Sequence, residues 1–307
     1  MNKKIYVPDI ECDSCSKLIR KSFSDEKGIE KVSVDETSVT VSFNPEIIDL
    51  KKIVSKITDL GFRASEQPFE RKSFGERLKD FKENKKKYFV ERKILTYTGG
   101  IFLILLLIEA LFYLFFLKAI PNFIENYAWW IFYLDLTVAV ITVGIWHVFA
   151  YRAKVTCMVG MMVGMLVGMQ TGMMFGAVIG ATNGFFIGSM VGMLIGVVVG
   201  IITGKCCGIM GIMQGMMAGL MGGTMGPMIS VMMFSDNLLW FMPFYMIINI
   251  LIVWGLSYML FEEVVEHKKD VVVKPRDFMT VAAYAIIITC VLLLLMVFGP
   301  KSALIAF

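Results

Sequence analysis

The chain has 307 residues, of which 57% are hydrophobic, with 27 glycines, 24 methionines and a mean hydropathy of +0.69. That is too apolar for a soluble domain and points to several membrane spans. A net charge of +4 without any nucleic-acid motif argues against a nucleic-acid partner. The sequence has neither a P-loop nor an Asp-Lys-Thr-Gly phosphorylation motif, so we read it as a non-enzyme that is not by itself an ATP-driven pump.

Charged and mixed residues fill the first 94 positions, and long apolar runs make up nearly everything after them. Residues 1–68 read as a small soluble domain. Its Met-Asn-Lys-Lys start runs straight into IYVPDI without a signal-peptide apolar core, so the segment is expected in the cytosol with its thiols reduced. Ile5 to Val7 read as a strand, and Cys15, Leu18, Ile19 and Phe23 share one helical face. Ile29 to Val34 and Ser38 to Phe43 alternate like strands about the turn Asp35-Glu36-Thr37. Leu50, Ile53, Val54, Ile57 and Leu60 mark an amphipathic helix that Gly61 stops, and a last strand is expected from Phe62. The order is βαββαβ, the ferredoxin-like split-βαβ arrangement of an α+β domain.

Cys12 and Cys15 lie where the first strand meets the first helix, in the motif ECDSC. With this element order, the stretch resembles the heavy-metal-associated (HMA) domain of copper chaperones and soft-metal pump amino termini. The resemblance implies two thiolates that hold one metal ion in nearly linear coordination and pass it on by ligand exchange. Copper-binding members usually carry Gly-Met-Thr before the first cysteine, where this chain has Asp9-Ile10-Glu11. Ile10 fills the apolar methionine slot, and Glu11 adds a hard oxygen that would favour a divalent ion such as zinc. A redox Cys-x-x-Cys would need a thioredoxin-like pattern, which is absent.

Residues 69–94 form a basic linker in which Phe74, Leu78, Phe81 and Tyr88 share a helical face, suited either to the bilayer surface or to a solvated spacer. The transmembrane domain, 95–307, is expected as an all-α polytopic bundle of about seven helices with glycine-zipper packing. Its segments fall near 95–117, 128–150, 155–180, 184–203, 207–233, 238–261 and 279–298. A straight helix over 157–204 would be about 70 Å long, twice the bilayer, so it must fold back. Arg152, Lys154, Lys205, His267, Lys268, Lys269, Lys274 and Arg276 fall on the amino-terminal side, against Lys118, Glu125, Asp236 and Lys301 on the other. The positive-inside rule then predicts a multi-pass cell-membrane protein with the HMA domain in the cytosol and the carboxyl terminus outside. Trp129, Trp130 and Trp240 are expected as outer belt residues.

The core of that domain, 155–233, is rich in glycine and methionine. From Gly160 through Gly208, glycine recurs at every fourth residue. In lipid, small residues drive helix association by letting backbones approach, which predicts a tight bundle of segments three to five. Methionines follow in stripes, at Met161, Met165, Met169 and Met173 in segment three, and at Met210, Met213, Met217, Met221, Met225, Met228 and Met232 in segment five. In segment five the glycines lie mostly two residues away, roughly on the opposite face. Methionine serves as a flexible gap-filler. It is also a soft, uncharged ligand selective for Cu(I), and weak repeated sites of that kind suit conduction.

Cys157 opens segment three and Cys206-Cys207 lie between segments four and five, so the predicted topology puts all three at one membrane border as a metal transfer point. Lys205 beside the pair favours the thiolate, whereas Cys290 reads as a small apolar residue. The Met-x-x-x-Met and Gly-x-x-x-Gly repeats are similar, at motif level only, to the CTR copper importers, which have three spans and no fused HMA domain. Vicinal cysteines plus an HMA domain are also similar to mercury-resistance uptake proteins, which place the pair inside the first span.

Glu109 and Asp135 are intramembrane carboxyls at matching depth, read either as an ion-coupling site or as a neutral, mutually hydrogen-bonded pair. His147 is a lesser candidate for metal transfer. The sequence thus leads us to expect a Cu(I) transporter, leaning to uptake, whose partners are the bilayer, the metal ion and either a cytosolic metallochaperone or a second copy of itself. A metal sensor or store without transport, a carrier of Hg(II) or Zn(II), and a thiol-redox membrane protein remain alternatives.

Overall fold

The computed structural model describes residues 2–8, 10, 13–24, 26, 28–35, 37–45, 47–62, 64–68, 89–115, 123–152, 157–262, 272–273 and 277–302. At 13–14, 89–91, 151–152, 157 and 272–273 it describes the backbone only. The chain divides into two compact units, an amino-terminal one and a helical one.

Alternation builds the first unit. Strand β1 (Asn2–Tyr6) precedes helix α1 (Asp13–Phe23), strands β2 (Ile29–Val34) and β3 (Ser38–Phe43), and helix α2 (Leu50–Asp59). The sheet is antiparallel in the order β1-β3-β2. Period-2 placement sends Val39, Val41 and Phe43 inward against Ile5, Val7, Ile19, Phe23, Ile53 and Ile57. Cys15, Ile19 and Phe23, four residues apart, set the buried face of α1. Leu18 falls one position off that line and is 46% exposed, against expectation. Gly61 closes α2 with φ +98°, and its N–H donates to Thr58 O at 2.9 Å. The expected last strand shrinks to one antiparallel bridge, with Tyr6 N–H donating to Ser65 O at 2.8 Å and Ser65 N–H to Tyr6 O at 3.0 Å. The residues that follow, Glu66-Gln67-Pro68, are poor strand formers, and Pro68 has no N–H to extend the ladder.

The second unit contains α3 (Phe89–Phe115), α4 (Phe123–Ala150), α5 (Cys157–Asn183), α6 (Phe185–Gly204), α7 (Gly208–Met232), α8 (Leu238–Leu260) and α9 (Phe278–Phe298). A two-residue ladder pairs β4 (Tyr151–Arg152) with β5 (Val272–Val273). Among the described residues six stretches are long and apolar enough to cross a bilayer, the pattern of a multi-pass membrane protein. The longest, Phe185–Ser235, doubles back at Lys205–Cys207, where Gly208 takes φ +67°. A Cβ added to Gly200 would lie 2.3 Å from Gly215 O, and one on Gly204 2.3 Å from Gly211 O, which makes α6 and α7 an antiparallel pair.

Helix α5 completes a three-helix bundle in which backbone packs directly on backbone. A Cβ on Gly168 would stand 2.9 Å from Gly215 O and 3.0 Å from Gly200 Cα; one on Gly172 would stand 2.6 Å from Gly223 N. No side chain fits between these glycine faces. Trp129 and Trp240 are 59% and 84% exposed. Trp130 is only 7% exposed and turns inward beside Tyr133, a correction to its expected belt position.

Candidate metal and ion sites

In the first unit Cys15 sits in the opening turn of α1, half-buried against the core. Cys12 lies outside the described residues, as does nearly all of the 69–94 linker.

In the second unit the α6–α7 turn brings Cys206 and Cys207 over the start of α5. Their sulfurs are 3.7 Å apart and are not joined as a disulfide. That is about the separation of two sulfurs each about 2.3 Å from one ion at a near-tetrahedral angle. Cys206 is exposed, with its thiol 3.5 Å from Thr203 O. Both thiols overlie Gly160, one helical turn after Cys157, so Cys206 and Cys207 lie at the end of the bundle where α5 begins. The Cys157 side chain lies outside the described atoms.

The methionines do not share one lining within the chain. On α7, Met210, Met213, Met217, Met221 and Met225 are 61%, 63%, 61%, 51% and 47% exposed. The glycines of α7 take its inward face, which leaves the methionines on the outer surface of the chain. On α5, Met161, Met165, Met169 and Met173 are half-buried beside α7. Met165 Sδ accepts a hydrogen bond from Gln214 Nε2 at 3.2 Å. The methionines inside the unit are others, Met174, Met242, Met246 and Met296, and Met246 Sδ lies 3.9 Å from the Thr137 hydroxyl. The interior of the α5–α6–α7 bundle holds glycine backbone and no sulfur ladder.

Asp135 is completely buried, and neither carboxyl oxygen of Asp135 or of Glu109 receives a hydrogen bond from a described residue. The two side chains are close enough to interact, and as two carboxylates both would be acceptors. A single proton between them would make one the donor. His147, expected near the interface, is 2% exposed and lines a cavity of about 330 Å³ with Thr98, Gln170, Trp254 and Ser257. Gln170 and Thr289, both buried, were not singled out in the sequence, where an isolated polar residue in an apolar run is the only signal. Among the described residues no three His, Cys, Asp or Glu side chains gather into a metal-holding group.

Comparison with known proteins accounts for the first unit. The heavy-metal-associated domain family matches residues 4–63. Over 63 residues the chain is 38% identical to copper-transporting ATPase 2 of Rattus norvegicus, which covers 20% of this chain and 4% of that protein. No solved structure matches. Residues 4–63 therefore form a heavy-metal-associated domain, followed in this chain by a helical region with six membrane-competent stretches.

Proposed function

We propose that this membrane protein moves Cu(I) between the Cys12 and Cys15 thiols of its HMA domain and a sulfur route through its helical region. The observation that carries this reading is the seating of the Cys206 and Cys207 sulfurs together over Gly160, at the end of the bundle that Cys157 opens. Paired thiolates bind soft metals tightly, and thioethers bind them weakly enough to let go. The ion passes between the membrane thiols and the thioethers of α5 and α7. Because the α7 methionines stand on the outer surface, a second copy of the chain would enclose the route. With the HMA domain in the cytosol, a potential of ~100 mV, negative inside, favours uptake of a monovalent cation by about 2.3 kcal/mol, and cytosolic thiolates pull the same way.

The test is Cu(I) flux into proteoliposomes together with metal analysis of anaerobically purified protein. Replacing Cys206 and Cys207 by serine, or the α7 methionines by leucine, should abolish flux, and replacing Cys12 and Cys15 should remove a separate portion of bound metal. The glycine-filled interior favours one second reading, a membrane metal sensor or store, which would bind copper in the same assay without flux. Retention of Hg(II) or Zn(II) in place of copper would reassign the cargo. A Cys157 disulfide to either thiol of the pair would point to redox chemistry.

A further inference from the structure

We infer that the outer face of helices α1 and α2 is a docking surface for anionic lipid, by which the HMA domain lies on the bilayer that its own chain spans. Both helices cover one side of the sheet. Ile19 and Phe23 of α1 and Ile53 and Ile57 of α2 share a single core with Val39, Val41 and Phe43. What the helices bury fixes what they show. Lys17 and Lys21 each lie two residues from Ile19, roughly half a turn away and so on the opposite face, with Arg20 beside them. On α2, Lys51 and Lys52 turn out where Ile53 turns in, and all five cations are exposed.

Leu18 provides the independent observation. It is 46% exposed and stands among Lys17, Arg20 and Lys21. An apolar side chain ringed by cations suits the boundary between headgroups and acyl chains. The acidic residues of this layer stand at helix ends, Asp13 opening α1, Asp49 just before α2 and Asp59 closing it. Glu26 is neutralised by Lys56, and that ion pair holds α2 to the end of α1, so the basic face is one rigid surface. The other side of the domain has no such cluster. There Lys4 and Lys31 stand opposite Thr40 and Ser42, the β3 residues that alternate with its buried ones.

The tether selects the partner. Each Lys or Arg held near an anionic leaflet strengthens binding about fivefold, within a screening length of the surface. A free domain with so few cations and one apolar anchor would bind weakly. This domain is not free, because residues 69–88 join it to α3 and reach no more than about 70 Å even at full extension. Such a linkage presents the lipid at an effective concentration on the order of millimolar, where weak attraction is enough. An acidic protein would have to reach that concentration from solution, and Leu18 would gain no acyl boundary from it.

No residue of this face is a ligand in the copper reading, so the two stand or fall separately. The test uses the purified full chain, metal-free and reduced, in nanodiscs of phosphatidylcholine alone or with phosphatidylserine. An amine-reactive reagent labels the lysines, and mass spectrometry reads the rate at each. Phosphatidylserine should slow Lys17, Lys21, Lys51 and Lys52 at least about fivefold relative to Lys4 and Lys31, since docked residues react only when the domain lifts off. The protection should disappear in ~0.5 M sodium chloride, where the screening length is about 4 Å. Arg20→Glu keeps every lysine reporter and should weaken the protection; Lys17→Glu with Lys21→Glu should abolish it at Lys51 and Lys52. Parent rates at Lys4 and Lys31 show that either variant is folded. The proposal is overturned if the two kinds of disc give the same ratios, if the protection survives the salt, or if Lys17→Glu with Lys21→Glu leaves it intact. Protection by an added acidic protein in discs whose lipid gives none would reassign the face to a protein partner.

Discussion

The sulfur of Cys207 occupies the space that a side chain at position 160 would need. A Cβ on Gly160 would stand 1.9 Å from Cys207 Sγ and 2.9 Å from Cys206 Sγ. Gly160→Ala must therefore displace the thiols or part α5 from the turn, an overpacking of about 1–3 kcal/mol. If Cys206 and Cys207 are metal ligands, Cu(I) affinity should fall by about one to two powers of ten. In a Cys12→Ser, Cys15→Ser background, where only the membrane thiols contribute, competition with a calibrated chelator reads the change. Unchanged affinity would remove the pair from the metal route.

The glycine and methionine faces of α7 should respond in opposite ways. Gly200→Val places a branched side chain where a Cβ already meets Gly215 O at 2.3 Å, so α6 and α7 must separate. A loss of at least about 1–3 kcal/mol is expected, seen as a lower melting temperature in detergent. Met213→Leu and Met217→Leu, at 63% and 61% exposure, should stay within about 0.5 kcal/mol of the parent. If those leucine variants melt as low as Gly200→Val, the methionine face packs against something.

Much of this architecture was legible in the sequence where periodicity and length leave few options. Alternation gave β2 and β3 their observed ends, and the length of the 157–204 stretch forced a reversal within it, which falls at Gly184 with φ +98°. Which way a face points was harder to read. In α7 the sequence separated glycine from methionine, but in lipid hydrophobicity does not decide which of two apolar faces turns inward. Backbone contact decided it, and the sulfur went outside. The same indifference hid Trp130, which belongs to the core though its neighbour Trp129 does not.

Asn183 and Lys301 tie the chain's last described turn to the end of α5. Asn183 Nδ2 donates to Leu295 O and Pro300 O, each at 3.2 Å, and its Oδ1 accepts from the Thr182 hydroxyl at 2.8 Å. Lys301 Nζ donates to Thr182 O at 3.2 Å and sits 4.8 Å from the Tyr127 ring centroid. A cation at a helix carboxyl terminus contributes about 0.3–1 kcal/mol, whereas the buried Asn183 amide donates two hydrogen bonds that contribute about 0.5–1.5 kcal/mol each. Asn183→Leu should therefore lower the melting temperature more than Lys301→Met does. The reverse order would mean that charge, and not the buried amide, holds this end.

Glu26 gives the HMA domain a pH dependence whose sign follows from its partner. A hydrogen bond from Lys56 and then the charge of Lys56 hold the carboxyl below its ordinary value of 4.5; burial opposes this and Lys52 adds a little. Lys56 also lies 5.5 Å from the Phe23 ring centroid, so the ion pair braces α2 against the end of α1. A carboxyl with a depressed pKa binds protons less readily in the fold than in the unfolded chain. Its contribution is complete above the unfolded value and disappears as pH falls through the folded one. Glu26→Gln should thus speed hydrogen exchange of the amides in residues 4–63 at pH 7, and the difference from the parent should close once pH is well below 4.5. Because both groups are partly exposed, salt should shrink the effect. A difference that persists undiminished at pH 3 would mean that Glu26 acts through packing and not through its charge.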